Sequence, residues 1–365
     1  MIDPALFSAA MASIPGLWLA LALDAVLADP VWLPHPVVLI GTTSQWLGKG
    51  CKQIFSSHLF LAGLLMVLST LALTLAACLA LLFVLDRLSP LILFAGSAFL
   101  LYTTLALRGL AEHGLAVYRA LTIHEKEKGL AAARAAVARI VGRDTSGLDE
   151  EGIVRACVES VAENMSDGVV APMLYAMVGG VLACWAGLDQ YSLAAAATAA
   201  MLYKAINTLD SMFGYTTEEF LLFGKSAALL DDAANFLPAR ISGFSLLIIF
   251  CLARTCHLDG LMCRAGTIKE ISCARAWQIM FRDHGRHASP NAGWPESAMA
   301  AILGIQLGGP GIYFGTRVDK PALGTAHVQP AYVHIRCAVL WMILASLCIA
   351  LVFSCASFIC VFGTG

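Results

Sequence analysis

The sequence predicts an all-α fold: a polytopic integral membrane protein with helical cytoplasmic insertions. Three observations carry that expectation. Of 365 residues, 59% are hydrophobic and 13% charged, where a soluble domain averages about 45–50% apolar and about 25% charged. Several apolar runs reach the ~20 residues a helix needs to cross a bilayer. Strand-like alternation is scarce along the whole chain. The net charge of −2 and pI near 6.5 give no basic field for nucleic acid. A single integral membrane domain over 1–365 is expected.

The first candidate span is 9–28, acceptable if Asp24 faces protein. No basic residue precedes it, the first being Lys49, so a cleaved signal peptide is not expected. Next, DPVWLPHPVVLIG at 29–41 reads as a proline-punctuated turn carrying Asp29 and His35. Spans are expected at 59–85, 90–107, 169–188, 192–206 and 337–362, with 192–206 short and alanine-rich. Segments 241–253 and 297–314 read as re-entrant or buried helices, the second rich in glycine. The polar stretches 108–168, 204–240 and 254–296 are then cytoplasmic insertions. With the Asp86-Arg87 turn outside, Arg87 is the only one of 23 Lys and Arg residues outside, as the positive-inside rule asks. Within 108–168, Ser146-x-x-Asp149 resembles a capping box opening the next helix. The twelve cysteines lie largely in apolar runs and lack zinc-type pairs, so neither disulfide nor structural zinc is expected.

Polar clusters interrupt this background. VGRDTSGLD at 141–149 fits a phosphate-facing turn or an ordinary capped loop. In VESVAENMSDGVVAPMLY at 158–175, Glu159, Glu163 and Asp167 fall four apart, one above another on an α-helix. They are hard oxygen donors suited to magnesium, or equally a solvated face on which Arg155 pairs Glu159. YKAINTLDSMFGY at 203–215 sets Lys204, Asn207 and Asp210 on one helix face. LDDAANFLPAR at 230–240 adds Asp231, Asp232 and Asn235. Two acidic groups in an apolar chain fit Mg²⁺ with phosphate oxygens, and Lys204 and Arg240 as charge partners. RDHGRHASPNAGWPE at 282–296 puts two arginines, two histidines, Ser289 and Asn291 on an ordered loop, a phosphate or carboxylate clamp in character. The glycine-rich GIQLGGPGIYFG at 304–315 lacks the Walker pattern.

Taken in order, these stretches, with LDAVLADPVWLPHPVVLIG near the start, resemble the adenosylcobinamide-phosphate synthase family of cobalamin biosynthesis. The resemblance covers about residues 20–315. It implies a multi-pass enzyme of the cell inner membrane, its catalytic side cytoplasmic. The reaction implied joins the propionate of adenosylcobyric acid to the amine of aminopropanol or its O-phosphate, an amide ligation driven by ATP with Mg²⁺. Inside the matching motifs, residue chemistry nominates Glu163, Asp167, Asp210, Lys204 and His287 as catalytic. Arg143, Asn164, Asn207, Arg282, Arg286, Ser289 and Asn291 are nominated for substrate or phosphate. Glu159, Glu163, Asp167, Asp210, Asp231 and Asp232 are nominated for metal. Membrane lipid and other membrane enzymes of cobalamin assembly are the implied partners. The chain departs from the family pattern at Thr42-Thr43 and Thr216, where basic residues are common, and at His284. Two rival readings remain open: an intramembrane Mg²⁺-dependent prenyltransferase, and a non-enzymatic membrane regulator related to the family.

Overall fold

A computed structural model of the chain describes residues 4–28, 30, 35–214, 220–257, 271–313 and 316–362. Asp29, Thr216 and Cys263 lie outside the described residues. The protein is mainly helical, and among the described residues five helical stretches are long and apolar enough to cross a membrane by length and composition. They are Leu59–Leu88, Pro90–Leu121, Glu150–Trp185, Phe236–Thr255 and Tyr332–Cys360. Two compact units emerge from its internal contacts, each assembled from separate stretches of chain. One comprises Met1–Ala106, Ala171–Asn235 and Ala350–Gly365; the other comprises Leu107–Val170 and Phe236–Ile349. Interleaving of this kind leaves no linker in the sequence to mark a boundary.

The first unit holds α1 (Pro4–Leu27), α2 (Pro36–Ile54), α3 (Leu59–Leu88), α4 (Pro90–Tyr102), α8 (Ala171–Trp185), α9 (Ser192–Phe213) and α10 (Lys225–Ala234). Of the stretch read as a turn, residues 36–41 belong to helix α2. Pro36 occupies the first turn of α2, where its missing N–H costs nothing, and His35 Nδ1 accepts the Val37 N–H at 3.3 Å. Ser89 and Pro90 start α4 the same way, the Ser89 hydroxyl accepting from Ile92 N–H. Within α3 the hydroxyls of Thr70 and Thr74 donate to the carbonyls of Met66 and Thr70, both at 2.8 Å. Their polarity is thereby satisfied inside an apolar helix. Helices α8 and α9 pack backbone to backbone at Gly179, where a Cβ would stand 2.7 Å from Ala195 O. The span expected at 192–206 is part of the 22-residue α9, and the 90–107 run leaves α-helix after Tyr102.

The second unit holds α5 (Leu107–Leu121), α6 (Lys126–Val137), α7 (Glu150–Met165) and α11 (Phe236–Thr255). It also contains α12 (Cys273–Asp283), α13 (Gly293–Leu303) and the strands β1 (Gln306–Tyr313) and β2 (Thr316–Gly324). The last helix, α14 (Tyr332–Phe362), begins in this unit and ends in the first. Asp149 is itself the N-cap of α7, its carboxylate accepting Gly152 N–H at 2.8 Å. The capping box expected from Ser146 is therefore replaced by a single cap one turn later. Helix α7 passes into a π turn at Ser166–Val170 and on into α8, so residue 169 is not a helix boundary.

The helix expected over 297–314 is corrected. Helix α13 starts earlier, at Gly293, and stops at Gly304 in the left-handed conformation (φ 68°), a glycine C-terminus. The chain then forms an antiparallel hairpin, Gln306 opposite Gly324 and Tyr313 opposite Thr316, with a bulge between Leu307 and Gly309. Gly308 and Gly309 both have positive φ (82° and 90°). That conformation suits glycine and explains why a run rich in it left the helix. The expectation of no disulfide is also corrected, because Cys337 is disulfide-bonded; ten other cysteines are free thiols.

Candidate active site

The second unit gathers three carboxylates around two cations. Glu159, on the inner face of α7, accepts Arg143 Nη2 at 2.7 Å through Oε2 and Gly308 N–H at 2.8 Å through Oε1. Lys320 Nζ, from β2, stands 3.9 Å from the same Oε2. Both side chains of the Arg143–Glu159 pair are 5% exposed. Arg155, expected on Glu159, pairs instead with Glu151 at 3.5 Å. The 142–145 turn is built for structure: Asp144 accepts Ser146 N–H, the Thr145 hydroxyl donates to Arg134 O, and Arg143 reaches α7. Glu163 follows Glu159 one turn on, half-buried. Asn164 Nδ2 donates to Ser160 O at 2.8 Å, and the Ser160 hydroxyl donates to Ile140 O.

Asp167 sits in the π turn that follows α7.

The loop after α12 supplies the other members. Asp283, fully buried, receives Arg282 through both oxygens (2.8 and 2.6 Å), Arg286 at 3.1 Å and Gly324 N–H at 2.9 Å. Arg282 and Arg286 keep 42% and 50% of their side chains exposed. The nominated clamp is thus two arginines held from behind by one buried acid. Burial pushes the Asp283 carboxyl up. The Arg282 hydrogen bonds, the Gly324 N–H and the charges of Arg282 and Arg286 outweigh it and hold the group below its ordinary value. A depressed folded-state pKa means the stabilisation is present above about pH 4, the unfolded aspartate value, and lost as pH falls through the folded pKa. Acid scans of thermal unfolding in detergent should therefore show a steeper loss below about pH 4 for the native protein than for Asp283→Asn. Coincident slopes would contradict the pairing.

His287 Nδ1 accepts Ser289 N–H at 3.0 Å, and the Ser289 hydroxyl accepts the N–H groups of Asn291 and Ala292 at 3.2 Å. Ser289 thereby orders the entry to α13, and Asn291 Oδ1 accepts Arg240 Nη1 at 3.4 Å. Burial and the Lys320 charge lower the His287 pKa, opposed by the Ser289 carbonyl, 3.4 Å from Nδ1, and by the Glu159 charge. On α13, Glu296 stands 3.7 Å from His287 Nε2. His284 stacks on Trp294, ring centroids 3.8 Å apart.

The remaining nominated residues belong to the first unit. Lys204 Nζ donates to Asn207 Oδ1 at 3.3 Å, and Asp210 lies on the next turn of α9. Asn235 accepts the Tyr203 hydroxyl at 2.8 Å and donates to Asp231 Oδ2 at 2.9 Å. Asp232 is half-buried, and burial raises its carboxyl. The nominated metal set consequently divides: Glu159, Glu163 and Asp167 in one unit, and Asp210, Asp231 and Asp232 in the other. Among the described residues no three His, Cys, Asp or Glu side chains converge to hold a metal ion. Arg143 pairs with Glu159 on α7, and Asp167 lies in the π turn beyond it.

Glu296, Asp283, Lys320 and Gly308 were not nominated from sequence. Glu296 left a signal, as the one charged residue of the buried run 293–303. Lys320 left none, because only the hairpin register brings it to α7.

Comparison with known proteins follows this geometry. The family model described as CobD/Cbib protein matches residues 17–342. A "Cobalamin biosynthesis protein CobD" of Desulfotalea psychrophila is 41% identical over 308 residues, 84% of this chain and 87% of the relative. Proteins of the same name from Geobacter metallireducens and Clostridium perfringens are 40% and 37% identical, each comparison spanning over four-fifths of both chains. No solved structure matches. Matched along most of its length by both the family model and these relatives, the chain belongs to the CobD/Cbib protein family.

Proposed function

We propose that the protein acts in cobalamin biosynthesis as an adenosylcobinamide-phosphate synthase, joining the propionate of adenosylcobyric acid to aminopropanol or its O-phosphate. The observation that carries the chemistry is the buried group of Glu159, Glu163 and Glu296 with Arg143, Lys320 and His287. A carboxylate is a poor electrophile at neutral pH. ATP, entering as its Mg²⁺ salt, activates it as an acyl phosphate, and the amine then attacks the carbonyl carbon. Such a sequence needs cations for phosphate and carboxylate, acids for an ammonium, and a proton acceptor. Arg282 and Arg286, steadied by Asp283 and half in solvent, supply phosphate donors. The acids around Glu163 offer a seat for the ammonium. Lys204, Asn207 and Asp210 form the second polar group that the reading assigns to the reaction.

The reading also places the enzyme in the cell inner membrane with its catalytic side cytoplasmic; five candidate spans support the membrane part of it. Complementation tests it. In a synthase-deficient bacterium fed cobyric acid, the native chain should restore growth, while Glu163→Ala and Asp210→Ala should not. Rescue by all three would refute the site, and failure of the native chain would refute the function.

A further inference from the structure

Glu296 is 1% exposed, and its Oε1 has no hydrogen-bond partner. It lies on α13, every residue of which is buried. An unpaired buried carboxylate oxygen is costly unless something meets it. His287 Nε2 stands 3.7 Å from that oxygen, beyond hydrogen-bond range. Nδ1 lies 3.0 Å from Ser289 N and 3.4 Å from Ser289 O. The shorter contact is the N–H donating to Nδ1, the arrangement in which the neutral ring holds its proton on Nε2, facing Glu296. His287 in that tautomer presents a donor to the site. The atom left to accept a proton is Glu296 Oε1.

The surroundings suit that role. Burial first, then the charges of Glu159 and Glu163 on α7, raise the Glu296 carboxyl well above its ordinary value; Lys320 on β2 and Arg143 before α7 oppose them. A carboxylate that is costly to ionise is a strong base once ionised. With all three carboxyls ionised, the two cations leave one negative charge in excess, which a single ammonium balances.

We propose that Glu296 is the base that deprotonates the amine nucleophile, with His287 Nε2 facing its carboxylate and Glu163 beside the incoming ammonium. This rests on the amide-forming reading above. One proton passes from R–NH₃⁺ to Glu296, giving R–NH₂ and the carboxylic acid. The nitrogen lone pair attacks the acyl phosphate carbon and the C–N bond forms. The C–O bond to phosphate breaks with its electron pair on phosphate, which takes the second nitrogen proton. His287 is a positioning residue in this scheme and Glu296 the catalytic one.

The test uses full-length protein in detergent with adenosylcobyric acid, ATP and Mg²⁺, and either aminopropanol or hydroxylamine. Hydroxylamine is largely uncharged at neutral pH and needs no base before attack. For Glu296→Gln, which keeps shape and removes basicity, the aminopropanol rate should fall about 100-fold or more, while hydroxamate formation stays within a few-fold of the native enzyme. Raising the pH should partly restore the aminopropanol rate in Glu296→Gln, as free amine becomes available without a base. An unchanged aminopropanol rate would overturn the proposal. Loss of both reactions would also overturn it, since Glu296 would then serve activation or the fold. If the native enzyme makes neither amide nor hydroxamate, the amide-forming reading itself fails, a result distinct from either.

Discussion

Arg143→Ala should destabilise the second unit by about 3–5 kcal/mol, the usual cost of stranding one member of a buried ion pair. Arg143 and Glu159 are each 5% exposed and 2.7 Å apart, so water cannot replace the lost guanidinium. Lys320, at 3.9 Å from the same oxygen, moderates the loss without making the hydrogen bond. Glu159 also accepts the Gly308 N–H, so the damage should spread from α7 to the hairpin. The double substitution Arg143→Met with Glu159→Gln should recover much of the stability, because it removes both charges and keeps an acceptor for Gly308. Thermal unfolding of the purified variants in detergent measures this. A single variant as stable as the native protein would show that the pair contributes nothing to the fold.

Gly308→Ala should be nearly as harmful, and for a separable reason. The residue has φ 82°, and a Cβ there would stand 2.2 Å from Pro321 O on the facing strand. An L side chain at positive φ costs about 1–2 kcal/mol by itself; the clash with backbone adds to that and pulls the Gly308 N–H off Glu159. Gly309 is the internal control. Its φ is 90°, yet nothing lies within 4 Å of the added Cβ, so Gly309→Ala should lose only the conformational part. The expected order of melting temperature is native, then Gly309→Ala, then Gly308→Ala. Equal losses at both positions would mean that the bulge is not packed as described.

The helical, membrane-type fold was legible because apolar runs are a property of composition, readable without partners. Helix α2 was hidden by prolines that the first turn tolerates. The β1–β2 hairpin was hidden because its signal was glycine at positive φ, which reads equally as a loose helix. At the site, the order of the polar motifs led to Glu159, Glu163 and the Arg282–Arg286 loop. The partners did not follow from spacing. Arg155 is four residues from Glu159, yet Arg143, sixteen residues away in sequence, takes it. Asp167 keeps the four-residue step but lies in a π turn, which no spacing pattern records. Glu296 was passed over as part of a motif when its charge in a buried helix was the stronger clue. Lys320 depends on strand register, which no local pattern records.

The most direct measurement is mass spectrometry of the corrinoid product after incubating purified protein with adenosylcobyric acid, MgATP and aminopropanol or its O-phosphate. The result expected is a corrinoid heavier by the amine less one water, formed only with ATP and matched by release of ADP and phosphate. Unchanged adenosylcobyric acid with either amine, alongside prenyl transfer from a labelled polyprenyl diphosphate, would contradict the amide-ligase reading and favour the prenyltransferase.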